Sequence, residues 1–213
     1  MLTTRPSPLA ILEGIHVRVR PLTQDDLPAL HRAIGTPEVF RGGWGGGMSA
    51  YRDDYEQWRA FITDYLPWHS GNVTAICLRA DDRIVGTSTL GDFDLKNGSA
   101  HIGWTAYAPE MWGQGVNPEA KLLLLGAAFD HGFERIKLQA DVLNDRSRAA
   151  ILGIGATFEG VLRHTMRRAD GSWRDTAVYS ILSDEWPNVR EKLKRRIPPV
   201  TLATTDARDV PRQ

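Results

Sequence analysis

The chain has 213 residues, enough for one domain with a substantial core, and its apolar (42%) and charged (24%) fractions are ordinary for a water-soluble globular protein. Basic and acidic residues number 26 each, which removes the electrostatic argument for general binding to nucleic acid or an anionic membrane. Cys77 is the single cysteine, so a disulfide framework and a cysteine-based zinc site are both excluded. The N-terminal "MLTTRPSPLAILEGIH" has too short an apolar core for a signal peptide. The longest apolar run, Leu122 to Leu125 extended by Ala127 to Phe129, is far short of a membrane span, so the expected location is the cytoplasm.

In chain order, "HVRVRPL" (His16 to Leu22) alternates as a strand does. Thr23 is then placed to cap a helix carrying Asp25 and Asp26 in its first turn, running to about Ile34 and stopped by Gly35. The glycine-rich "RGGWGGG" (Arg41 to Gly47) reads as a loop. Tyr51 to Leu66 follows, with Tyr51, Tyr55, Trp58, Ile62 and Tyr65 at helical spacing. Three strands are expected over Val73–Arg79, Arg83–Leu90 and Ser99–Tyr107. After them a helix from Pro118 to about His131 is apolar nearly all round. Ile136–Val142 alternates as a strand, and Ser147–Ile154 reads as a short helix ending at Gly155. Thr157–Arg167 and Trp173–Leu182 flank Asp170-Gly171, a strong hairpin signal. A basic helix is expected from Trp186-Pro187 to Arg196.

This order predicts an α/β fold: a mixed, mostly antiparallel central sheet with flanking helices and one parallel, right-handed strand–helix–strand crossover from Ser99 to Val142. A single domain is expected over residues 1–196, with 197–213 a disordered tail.

The segment "EMWGQGVNPEAK" (Glu110 to Lys121) lies where ligands bind in such sheets, beyond the carboxyl end of a parallel strand and at the mouth of the next helix. Taken alone it has two readings. Its glycines and first-turn N–H groups suit an anion. Equally, Asn117 as cap, Pro118 as first helical residue and Glu119 on the dipole make a helix start that needs no ligand. A P-loop would need G-x-x-x-x-G-K-[ST], which the chain lacks, and a dinucleotide fingerprint would need glycine where Pro118 stands.

The surrounding stretches separate the two. Gly103-Trp104, Trp112-Gly113-Gln114-Gly115, "NDRSRAAILGIGA" from Asn144 and "GVLRHTMRRADGSWRDTAVYSILSDEW" together resemble the GCN5-related N-acetyltransferase superfamily. The similarity is strongest to its branch containing the ribosomal-protein N-terminal acetyltransferases, and it extends over roughly His16 to Arg196. It implies acetyl-CoA as acyl donor. The backbone of Trp112, Gly113, Gln114, Gly115, Val116 and Asn117 would bind the pyrophosphate, and Trp104, Thr105 and Ala106 would pair with the pantetheine arm. Asn144 and Ser147 match the family's N-x-x-S, next to the cofactor's thiol.

Three positions depart from the family pattern. Asn117 stands where glycine or alanine is usual. The tyrosine many members use to protonate the thiolate falls at Ile151, leaving Ser147, which also suits a helix N-cap, as the nearest replacement. His101 replaces an acidic residue of the central strand. As an imidazole it is a candidate general base, with a partly exposed sheet histidine as the plain alternative. Asp92 and Asp94 are alternatives to it. A backbone N–H near Trp104 or Thr105 would meet the oxyanion. Trp44, within its glycines, is expected to act as a lid over the acceptor, and Arg163, Arg167 and Arg168 stand ready for an acidic one.

The expected activity is transfer of an acetyl group to a primary amine, such as a peptide or protein N-terminus. A small-molecule amine and a non-catalytic acyl-CoA-binding member are the alternatives. No metal ligand set is present in the histidines, and the partners expected are the amine acceptor and a second copy of the chain in a homodimer, with no nucleic acid and no membrane.

Overall fold

In the computed structural model, which describes residues 2–168 and 170–199, eight strands form one sheet in the order β1-β2-β3-β4-β5-β6-β8-β7. The strands are β1 (Leu12–Glu13), β2 (Val17–Pro21), β3 (Asn72–Leu78), β4 (Ile84–Asp94), β5 (Ser99–Tyr107), β6 (Arg135–Asp141), β7 (Thr157–Arg167) and β8 (Trp173–Leu182). All neighbouring pairs are antiparallel except β5 and β6, which are joined through helix α4 (Val116–Asp130). The sheet is thus the mixed, mostly antiparallel one expected, with a single parallel crossover.

Alternation decides which face each strand shows to which helix. Val17, Val19, Ile76, Leu90, Ala100, Ile102, Ile136 and Leu138 point to one face and are covered by α4, α5 (Asp145–Ile154) and α6 (Trp186–Lys194). Val73, Ala75, Cys77 and Ala106 point to the other, where α1 (Leu27–Ile34), α2 (Pro37–Arg41) and α3 (Tyr55–Tyr65) bury Leu27, Leu30, Phe40, Trp58 and Ile62. Gly171 at φ +83°, with Ser172 N–H donating to Asp170 Oδ1 (2.9 Å), turns the β7–β8 hairpin where Asp170-Gly171 marked it.

Several boundaries differ from expectation for local reasons. β1 and α2 are too short to show a period. α3 starts at Tyr55 because Asp54 caps it, its carboxylate accepting from Gln57 N–H at 3.0 Å. α4 begins at Val116, so Asn117 is its second residue and not its cap. The capping position is Gly115, whose φ of +83° places it in the left-handed region that favours glycine. α5 begins at Asp145, and its cap is Asn144, accepting from Ser147 N–H at 2.9 Å; Ser147 is therefore not a cap. The segment Arg41–Gly47 is not an open loop: Gly43, Gly45, Gly46 and Gly47 all have positive φ and fold into a short 3-10 turn over Trp44–Gly46. Most of the tail expected over 197–213 lies outside the described residues.

Glu119 does more than sit on the helix dipole. Its side chain is buried, and its carboxylate accepts from the backbone N–H groups of Ile15 and His16, the latter at 3.0 and 3.2 Å. It thereby ties the β1–β2 turn to the first turn of α4. Gly14 is needed there, since a Cβ would stand 2.3 Å from Glu119 Oε1. Glu119→Ala should lower the free energy of unfolding by about 1.5–3 kcal/mol, the usual cost of losing hydrogen bonds to a charged group, measured by urea denaturation.

Candidate active site

The parallel pair holds for only three rungs, Ser99 with Arg135, Ala100 with Ile136 and His101 with Lys137. Past that point β6 stays paired with β8 to Asp141, whereas β5 continues to Tyr107 beside β4 alone. A wedge-shaped gap therefore opens in mid-sheet, with the backbone of Gly103 to Tyr107 along one side.

β5 is also bulged within this stretch. Thr87 pairs with Ala106 and Thr89 with Gly103, so Trp104 and Thr105 together face the single residue Ser88. Trp104 takes φ +51°, rare for a bulky residue, and the bulge turns the backbone out of the regular ladder. Trp104, Thr105 and Ala106 all lie on the open stretch. The Thr105 side chain points toward α4, while Ala106 is buried in the α1–α3 layer.

At the apex of the wedge stands His101, 2% exposed, with its ring 5.1 Å from that of Trp104. Its Nδ1 lies 3.1 Å from Asp92 Oδ2, which Lys137 Nζ also approaches at 3.4 Å. An ionised carboxylate can only accept, so Nδ1 carries the proton and Nε2 keeps its lone pair. Nε2 is buried without a hydrogen-bond partner among the described residues. It lies over Gly103, 2.7 Å from where a Cβ would be, and only glycine leaves room for the ring. Burial pushes the imidazole pKa down despite the opposing Asp92 contact, and the His101 hydrogen bond holds the Asp92 carboxyl below its usual range. The two residues that the sequence offered as alternatives thus form one dyad. Asp94 is not part of it, being turned to Asn97.

Along the far lip, the loop before α4 presents backbone donors. The N–H groups of Gly113, Gly115, Val116 and Asn117 meet no backbone acceptor among the described residues, and Pro118 has none to offer. Gly113 and Gln114 are exposed, and a Cβ on Gly113 would meet nothing within 4 Å. The inner side of the same loop is closed, because a Cβ on Gly115 would stand 2.4 Å from Pro198 Cδ. Trp112 is fixed by Nε1–H donating to Tyr107 O (3.2 Å) and by the guanidinium of Arg146 stacked 3.9 Å from its ring centroid. That stack links the loop before α4 to the first turn of α5.

Asn144 and Ser147 sit at this first turn of α5. They follow Asp141, the end of β6, which itself stands four residues or about 13 Å past the His101 rung at strand spacing. Against Asn144 packs Gly43, where a Cβ would be 2.7 Å from Nδ2. Between the two runs a cavity of about 360 Å³, lined by Arg41, Gly43, Gly47, Asp141, Asn144 and Arg146 among others. Arg168 is held in its wall by a bidentate pair with Asp141 (2.7 and 2.9 Å), so it is not free to meet an acidic acceptor. Trp44 is no lid: it is 8% exposed and packed edge-on against Phe40, Phe61 and Tyr65.

One residue went unremarked in the sequence. Lys121, 4% exposed on α4, donates to Thr105 Oγ1 (2.8 Å) and Ser88 Oγ (3.0 Å), and burial pushes its pKa down to about 7. A lysine inside the apolar run "AKLLLL" was the available signal. Among the described residues no three His, Cys, Asp or Glu side chains come together as a metal site, and no helix is long and apolar enough to cross a membrane.

A mid-sheet gap with an unpaired strand edge, a bulge, and free N–H groups at a helix start fits an extended, amide-bearing ligand with an anionic end. Comparison with known proteins agrees. Residues 16–157 match the model of the acetyltransferase (GNAT) domain family. A protein of T. thermophilus, assigned provisionally as an acetyltransferase, is 34% identical; the match covers 88% of this chain and 97% of that one, at a TM-score of 0.77. A GCN5-related N-acetyltransferase from Brucella melitensis is 24% identical over 93% of this chain and 90% of that one, at a TM-score of 0.83. Mycobacterium smegmatis RimJ, solved with CoA-disulfide, shares the fold at 22% identity and a TM-score of 0.73, over 90% and 97% of the two chains. Among curated proteins none matches significantly.

The buried dyad has a measurable signature. With its pKa lowered on folding, His101 binds its proton more weakly in the native than in the unfolded chain. Its contribution to stability is present above the unfolded value of about 6.5 and is lost as pH falls through the lower, native one. Urea denaturation of the wild type between pH 7.5 and 5 should therefore show a loss that His101→Gln reduces.

Proposed function

The chain belongs to the GNAT acetyltransferase family and is an acetyl-CoA-dependent N-acetyltransferase; on that premise we propose that its acceptor is the α-amine of a peptide or protein N-terminus, acetylated by direct attack on the thioester. Acetyl-CoA supplies the acyl carbon and a thiolate leaving group. The free N–H groups of Gly113, Gly115, Val116 and Asn117 would hold its pyrophosphate, with Trp112 and Gln114 shaping the loop. The open edge at Trp104, Thr105 and Ala106 would hydrogen-bond the pantetheine amides, as an added strand would. The CoA-disulfide bound to RimJ is a ligand of this kind on the same fold and supports this assignment.

The observation that carries the acceptor reading is the dyad. His101 Nε2, unpartnered and with its lone pair fixed by Asp92, is the atom that would take the proton of the attacking amine. A buried imidazole below its ordinary pKa is a weak base. It is better suited to an α-ammonium near 8 than to a lysine ammonium near 10.4. Asp92 would then hold the imidazolium. The first turn of α5, capped by Asn144, would offer its positive dipole to the thiol end, and the Ser147 hydroxyl on that turn would be the donor to the thiolate. The cavity between Gly43 and Asn144 would admit the acceptor from the other side. A cytoplasmic location fits the use of acetyl-CoA.

Thiol release from acetyl-CoA should be seen with peptides bearing a free N-terminus and not with the same peptides blocked at the α-amine but carrying lysine. Turnover confined to lysine, or to small-molecule amines, would overturn the acceptor reading. His101→Ala should lower kcat/KM about 10²- to 10⁴-fold, the usual range for a general base, and Asp92→Asn should lower it less. Gly103→Ala should act on the same step by displacing the ring.

A further inference from the structure

Lys121 poses an energetic problem. No carboxylate pairs with its amine among the described residues, and the two hydroxyls it reaches are both uncharged. Burying an amine without a counter-ion costs several kcal/mol, and the neighbouring α4 residues Ala120, Leu124 and Leu125 are all apolar. Methionine or leucine would fill that place at lower cost, so packing does not account for the lysine.

Its partners point to what it does. Ser88 is the single β4 residue that faces the two bulged residues of β5, and Thr105 is one of those two. Lys121 Nζ bonds both, and Ser88 Oγ lies 2.8 Å from Thr105 Oγ1, closing a triangle across the bulge. The Thr105 hydroxyl donates back to Gly103 O at 3.3 Å, and the Thr74 hydroxyl donates to the Ser88 carbonyl at 2.7 Å. Backbone in the left-handed region, such as Trp104, costs about 1–3 kcal/mol and persists only where its surroundings over-determine it.

We infer that Lys121 is a positioning residue for acyl transfer, clamping Thr105 to Ser88 so that the bulged β5 backbone keeps its N–H groups aimed at the thioester carbonyl oxygen. The inference rests on the acyl-transfer reading above, in which a backbone N–H at Trp104 or Thr105 meets that oxygen. The amine adds a second effect. Negative charge developing on a carbonyl oxygen nearby favours its protonated form, and a cation in a poorly solvated site supports such charge more strongly than one in water.

Lys121→Met keeps the volume and removes the clamp. Expected is a fall in kcat of about 10- to 100-fold, with KM for acetyl-CoA within about twofold and a urea midpoint equal to or above that of the wild type. Thr105→Val, which leaves the lysine in place, should lose kcat similarly, and the double variant should lose little more than either. The infrared stretch of bound [1-¹³C]acetyl-CoA gives a readout independent of turnover. The carbonyl band should lie lower in the wild-type complex than in Lys121→Met, which has lost part of the polarising geometry. Wild-type kcat and an unmoved carbonyl band in Lys121→Met would overturn the inference while leaving the acyl-transfer reading intact. A Lys121→Met protein that fails to fold would pass the decision to Thr105→Val and its carbonyl band. Failure of the wild type to bind acetyl-CoA would remove the parent reading and this one with it.

Discussion

The arrangement of the site follows from a single constraint on the sheet: β5 and β6 pair for three rungs and then part. Parallel strands must be joined by a crossover, and here α4 makes it, entering from the end where the gap is widest. An unpaired edge in the middle of a sheet leaves backbone donors and acceptors without their usual partners, a state folded proteins generally avoid. The bulge at Trp104 turns the strand further from a regular ladder. A ligand with amide groups of its own would complete what the sheet leaves open.

Around that gap the protein accepts costs a purely structural core would not carry. His101 Nε2 has no partner, Lys121 has no counter-ion among the described residues, and Trp104 holds a backbone angle unusual for its type. Each is within the reach of β5, and each is offset by the dense apolar layers on both faces of the sheet. Strain and unmet polarity gathered in one place are what a preorganised site requires. Gly103 and Gly115 belong to the same economy of space, one making room for an imidazole and the other for Pro198.

Most of the element order and the crossover could be read from the sequence because they rest on patterns that survive without coordinates. Ile136, Leu138 and Ala140 alternate, and Asp170-Gly171 between two strand-like runs is a strong hairpin signal. The segment before α4 is singled out as a ligand loop by its company and not by its glycines alone. What stayed hidden depends on contacts between distant residues. Nothing near Asp92 or His101 says that they touch, since nine positions and a reversal of the chain separate them. Trp44 read as mobile because glycines surround it, whereas four positive φ angles in fact fold that stretch tightly over Phe40. Asn117 yielded its capping role to Gly115 because the left-handed turn falls two residues earlier than the Asn-Pro pair suggests.

The contact between Pro198 and Gly115 has a bearing on how the molecule is made. His16, in the turn between β1 and β2, reaches the Pro198 carbonyl at 2.7 Å, so early and late parts of the chain meet beside the loop before α4. During synthesis that loop leaves the ribosome some eighty residues before Pro198 does, and its inner wall stays open for the interval. The sheet has the same order of events, since β6 gains its neighbour β8 only after the hairpin has emerged. A nascent chain therefore contains both Asp92 and His101 well before Pro198 arrives to close the inner side of the loop before α4.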